Sequence, residues 1–171
     1  MATIAAKLRA RAALGNAEAM FELGKRCMED VDATEKSYEE AFKWFSGAAA
    51  RGYVPAMAYV GDCYDMGKGV AQDYAAALKW YQLGAEKGDA YAVSGLGWCY
   101  YAGHGVQQDY VKAYELYMRA ADHGDGRGMN GIGVCYYYGN GAEKDLAKAA
   151  QWYRRAADVG YAGAMVKLGR C

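Results

Sequence analysis

Between residues 56 and 64, Ala56, Met57, Val60, Gly61 and Tyr64 fall at i, i+1, i+4, i+5 and i+8, one face of a 3.6-residue period. This spacing predicts a helix, here termed helix A. After Gly67-Lys68-Gly69-Val70, a second apolar stripe runs through Ala77, Trp80, Tyr81, Gly84 and Ala85 at i, i+3, i+4, i+7 and i+8, which predicts helix B. The pattern then repeats. Gly61, Gly97, Gly133 and Gly169 stand 36 residues apart, as do Gly52, Gly88, Gly124 and Gly160, and the loop pairs Gly67/Gly69, Gly103/Gly105 and Gly139/Gly141. Four units of two helices follow, over 17–53, 54–89, 90–125 and 126–161, the first one residue longer. Residues 1–16 read as an N-terminal helix and 162–171 as a partial repeat. The expected fold is all-α: one domain over 1–171, a right-handed solenoid of stacked antiparallel helix pairs.

The ends of helix B are marked as well. Ser37, Asp73, Asp109 and Asp145 recur ahead of it and are of the types whose side chains accept the unpaired N–H groups of a first turn. Ser37 with Glu40 has the spacing of a capping box. Gly52, Gly88, Gly124 and Gly160 stand where a helix ends in a left-handed residue. Within helix A, Gly61, Gly97 and Gly133 lie on the apolar stripe, where Gly costs about 1 kcal/mol against Ala, so a close helix contact is expected to offset the loss. By phase Trp80 belongs to the core stripe, whereas Trp98 is turned about 100° out of it.

Composition narrows the function. Lys+Arg and Asp+Glu are both 20 in 171 residues, giving a net charge of +0. A protein that binds nucleic acid or an anionic membrane through bulk charge would be basic. No apolar run approaches the roughly 18 residues of a membrane span, and Lys7, Arg9 and Arg11 interrupt any secretory leader. Cys27, Cys63, Cys99, Cys135 and Cys171 are 36 apart, one per repeat. Successive A helices should lie roughly 8–10 Å apart, beyond the ~7 Å Cα separation a disulfide tolerates. All five are therefore expected as free thiols wedged between A helices, in a reducing, cytoplasmic compartment. No C-x-x-C or histidine pair suggests a metal. His104 and His123 have no catalytic partner at a readable spacing, and no S-x-x-K follows Ser37, Ser46 or Ser94. The Gly-x-Gly pairs read as turns rather than phosphate loops. Neither catalysis nor a cofactor is expected.

Ala56-Met-Ala-Tyr-Val-Gly61, Tyr64-Asp-Met-Gly-Lys-Gly-Val70, Asp73-Tyr-Ala-Ala-Ala77 and Trp80-Tyr-Gln-Leu-Gly-Ala-Glu-Lys-Gly88, with their counterparts in the later units, resemble the Sel-1-like repeat. The 36-residue period separates it from the related 34-residue tetratricopeptide repeat. The first unit departs at residues 30–34, Asp-Val-Asp-Ala-Thr, which replace the Gly-x-Gly loop, and Leu116 stands where other units have Trp. The resemblance implies an adaptor or assembly scaffold without chemistry of its own, binding a protein or peptide along a concave row of helix A side chains. Aligning Val60-Gly61 with the Leu-Gly of the tetratricopeptide repeat places Phe21, Lys25, Asp62, Asp65, Ser94, Trp98, Tyr101, Arg127, Asn130, Tyr137 and Arg170 in that row, with Tyr91 and Val134 between them and Tyr138 beside it. Trp98 and Tyr101 are the expected anchors. Asp62 and Asp65 read as a solvated face that could receive a basic residue of a partner. The alternative is a structural segment of a longer solenoid, or a self-associating module covering Met165 and Leu168 with another copy.

Overall fold

The structure, a computed structural model, describes residues 4–29 and 34–161. The expectations for Met165, Leu168, Arg170, Cys171 and the partial repeat 162–171 lie outside the described residues. Among those described, nine helices and no strand are present: α1 (Ile4–Ala13), α2 (Ala17–Glu29), α3 (Glu35–Ala50), α4 (Val54–Met66), α5 (Tyr74–Glu86), α6 (Ala90–Ala102), α7 (Tyr110–Asp122), α8 (Gly126–Tyr138) and α9 (Leu146–Asp158). The pairs α2/α3, α4/α5, α6/α7 and α8/α9 are the A and B helices of the repeats, and α1 packs on α2. The B helices α3, α5 and α7 also pack on the A helix that follows each of them. In addition α4 meets α6 and α6 meets α8, while successive B helices come no comparably close. The A helices therefore line the inner side of the curve.

Capping explains the boundaries. Asp73, Asp109 and Asp145 cap α5, α7 and α9, each accepting a backbone N–H at 2.9 Å. In the first repeat the cap is Thr34, not Ser37: Ser37 is the third helical residue and completes a capping box with Thr34. The physical reason is the lost Gly-x-Gly loop, which lets α3 begin a turn earlier and run 16 residues against 13 in later B helices. Two A helices, α6 and α8, have caps that the sequence pattern did not single out, Asp89 and Asp125, accepting from Ala92 and Gly128 at 2.7 Å. Burial pushes both carboxyls above their usual range, and the cap hydrogen bonds hold them back.

The second loop glycine joins one repeat to the next. Gly105 has φ +70, and a Cβ there would lie 2.5 Å from the Tyr74 carbonyl oxygen at the start of the preceding B helix. Only Gly combines that backbone with that approach.

One ring per repeat fills the space between helices: Phe45, Tyr81, Tyr117 and Tyr153, between 0% and 5% exposed. Small residues on the A helices make room. On α6, Gly95 faces the Tyr81 ring of the preceding B helix and Gly97 faces Tyr117 of its own. Trp80 was expected in this core and is only half-buried, packed at its edge. The next residue takes the central place because α5 turns Tyr81 inward and Trp80 toward the flank.

Cys63, Cys99 and Cys135 are free thiols, each at most 1% exposed, and burial pushes each up to about 12. At pH 8 these three are expected to resist iodoacetamide in the native protein and to be labelled on unfolding without reductant. Peptide mass mapping before and after denaturation checks this; rapid native labelling of any of the three would contradict its burial.

Candidate functional site

The inner side of α4, α6 and α8 carries a network built around two carboxylates. Asp62, on α4, is 5% exposed and accepts hydrogen bonds from the hydroxyls of Tyr81 and Tyr91, both at 2.6 Å. From α8, Arg127 Nη1 donates to both oxygens at 3.1 and 3.2 Å, and its guanidinium lies 4.0 Å over the Tyr91 ring. A buried carboxylate of this kind is tolerated only with a counter-charge and full hydrogen bonding. Both are supplied from three other helices. Burial, reinforced by the Asp62 charge, raises the Tyr81 and Tyr91 phenols well above their usual range, so they remain neutral donors. Burial opposes the charge of Arg127, but Asp62 and the tyrosines outweigh it and raise the guanidinium further.

Asp65 lies almost one turn further along α4 and is 9% exposed. Trp98 Nε1 donates to its Oδ2 at 3.1 Å, and His104 Nδ1 lies 2.7 Å from its Oδ1. The His104 ring is stacked 3.8 Å from Tyr74 and stands edge-on to Trp98. Trp98 is thus held by its N–H while 40% of the residue stays exposed.

Between these clusters runs a groove of about 540 Å³. Its walls include Asp62, Asp65 and Met66 of α4, Tyr91, Ser94 and Trp98 of α6, and Arg127, Asn130 and Val134 of α8, with Tyr81, Tyr117 and Tyr161 from outside the A helices. Ser94 is 1% exposed and donates to the Tyr91 carbonyl, forming floor rather than rim. Asn130 Oδ1 is buried without a hydrogen-bond partner.

Of the row expected from sequence, Asp62, Asp65, Ser94, Trp98, Arg127 and Asn130 come together in this groove. The expectation that Asp62 and Asp65 form a solvated face is overturned: both are buried, and Asp62 is occupied by the chain's own Arg127. Phe21 is also not a surface residue; it is 7% exposed among Phe45, Tyr53 and Tyr59. It occupies the register of Ala58, Ser94 and Asn130, where a large ring fills the floor of the first repeat. Lys25 lies over Phe21 and pairs with Glu22 at 3.2 Å, away from the groove. Tyr101 flanks Trp98, with ring centroids 6.2 Å apart, and its hydroxyl accepts from Asn140. Tyr137 and Tyr138 pack edge to face on each other, and Tyr138 is 63% exposed. None of these last three lines the groove. His104 was missed as a site residue because it fills the variable middle of a Gly-x-Gly turn, 39 residues from Asp65. Tyr81 was legible as core only, and Tyr117 was not singled out.

Among the described residues no group of three or more His, Cys, Asp or Glu could hold a metal, and no helix is long and apolar enough to cross a membrane. Stacked helix pairs with a polar, aromatic-walled groove on the inner side define an α-solenoid repeat protein. The Sel1 repeat profile matches residues 17–53, 54–89, 90–125 and 126–161, and the chain belongs to the Sel1 repeat family. Repeats of this family generally serve as protein-interaction scaffolds. The chain is similar to a protective antigen of uropathogenic Escherichia coli strains displaying an SLR fold, at 36% identity and a TM-score of 0.74 over 99% of this chain and 36% of that one. It is also similar to a Sel1 repeat protein from Oxalobacter formigenes, at 35% identity and a TM-score of 0.70 over 93% of this chain and 64% of the other. It thus spans less than two thirds of either. No curated protein matches it.

Proposed function

We propose that the groove of α4, α6 and α8 binds an extended segment of a protein partner, with Trp98 as its anchor and no chemistry performed on the ligand. The observation that carries this reading is Trp98 itself: a large ring at the groove rim, 40% exposed, yet oriented by its bond to Asp65. An anchor already held in place loses little side-chain entropy on binding. Exposed aromatic rings beside a concave polar wall are the usual source of interface energy.

The test is a selection of displayed random peptides on the folded chain. Selected peptides should quench or shift Trp98 fluorescence, and Trp98→Ala should weaken them by at least ~1–2 kcal/mol, about ten-fold, at a temperature where circular dichroism shows the variant folded. In the absence of any peptide, iodide should reach Trp98 more readily than the half-buried Trp80, compared in single-tryptophan variants. Peptides that bind Trp98→Ala as tightly, or a Trp98 as shielded as Trp80, would sink the proposal.

A further inference from the structure

In the groove one carboxylate and ring hold an arginine of the chain itself, and beside them a second carboxylate and ring meet His104 but, among the described residues, no Lys or Arg. In the first group, a carboxylate (Asp62), an aromatic ring (Tyr91) and a guanidinium (Arg127) sit together, the guanidinium both ion-paired and stacked. About one turn along α4 and two turns along α6, Asp65 and Trp98 repeat the carboxylate and the ring. Asp65 meets the Trp98 indole and His104, and among the described residues no Lys or Arg pairs with it. We propose that Asp65 and Trp98 form a seat for an arginine side chain of the bound partner segment. This rests on the groove being a peptide site, as proposed above.

Hydrogen-bond accounting points the same way. Among the described residues the one Lys or Arg in the groove wall is Arg127, and its Nη1 is paired with Asp62. Accepting capacity remains open at the second lone pairs of the Asp65 oxygens and at the unpartnered Asn130 Oδ1. Such a wall repels a carboxylate and takes a donor-rich ligand. A guanidinium has five donors in a plane and a face that stacks on indole, where an ammonium offers a point charge and no face. Arg127 on Tyr91 is the chain's own instance of that geometry.

The experiment follows the indole N–H signal of Trp98 in 1H–15N spectra of the full chain. N-acetyl-arginine methylamide is compared with N-acetyl-citrulline methylamide, which has nearly the same shape without the charge. Arginine should give a saturable shift; citrulline, and arginine with Asp65→Asn, should bind at least about ten-fold more weakly. Equal responses to the two probes, or none to arginine, would overturn the seat. Because Asp65→Asn could disturb folding, the selected peptides provide a second measurement. An arginine should recur at one position, and its replacement by glutamine should weaken binding about ten-fold or more. Groove-binding peptides without a basic residue would end the arginine seat and leave the peptide site standing, whereas the absence of any groove-binding peptide would end both. If Lys167→Gln with Arg170→Gln shifts the Trp98 signal with no probe present, the chain's own C-terminal residues occupy the seat, and the partner assignment falls.

Discussion

Gly97→Val is expected to lower stability by about 3 kcal/mol, although it adds apolar surface and removes a helix-interior glycine. A Cβ at this position would already lie 2.8 and 2.9 Å from the Tyr117 ring and 3.4 Å from the Ala113 carbonyl oxygen. The two γ-methyls of valine would reach further into the same wall. Tyr117 cannot retreat easily, because its other side meets Gly131 of α8, where a Cβ would be 2.6 Å away. The ring is gripped between two A helices, so overpacking one contact strains the other. At roughly 2–4 °C per kcal/mol for a chain of this size, the melting temperature should fall by about 6–12 °C. Calorimetry checks it, and a variant melting at or above wild type would mean that α6 does not approach α7 as closely as described.

The other large effect is expected for Arg127→Met, at about 3–5 kcal/mol. The pair it breaks is shielded, with side-chain exposures of 19% for Arg127 and 7% for Asp62. Methionine leaves the Asp62 carboxylate with its two phenol donors and no counter-charge, in a site that excludes most water. The penalty belongs to the stranded charge rather than to the lost bond. Adding Asp62→Asn should therefore recover part of the loss, and the double-mutant cycle should show a coupling of about 1–3 kcal/mol. Urea denaturation of the four proteins measures it. A single variant within about 0.5 kcal/mol of wild type would show that the network does not hold the repeats together.

The 36-residue period, the two helices of each unit and most of their ends were legible in the chain because their causes are local. An Asp cap needs only the N–H three residues on, a left-handed glycine only its own backbone, and an apolar stripe only the pitch of its own helix. Ser37 misled because the first repeat replaces its loop, and the pattern of later units no longer locates the cap there. The groove was legible as a row but not as a site. Helical phase states how a side chain is turned about its own axis, and says nothing of what the next repeat brings against it. Trp80 and Tyr81 share one stripe, and the glycines that α4 and α6 bring against it, Gly61 and Gly95, make Tyr81 the central one. Asp62 looks like a surface charge from α4 alone. It becomes buried because Tyr81 and Tyr91, 19 and 29 residues on, and Arg127, 65 residues on, all close over it. Phe21 shares the register of Ser94 and Asn130, yet the size of its ring turns a groove floor into core. These outcomes depend on distances between helices, which a sequence with a regular period leaves open until the repeats are stacked.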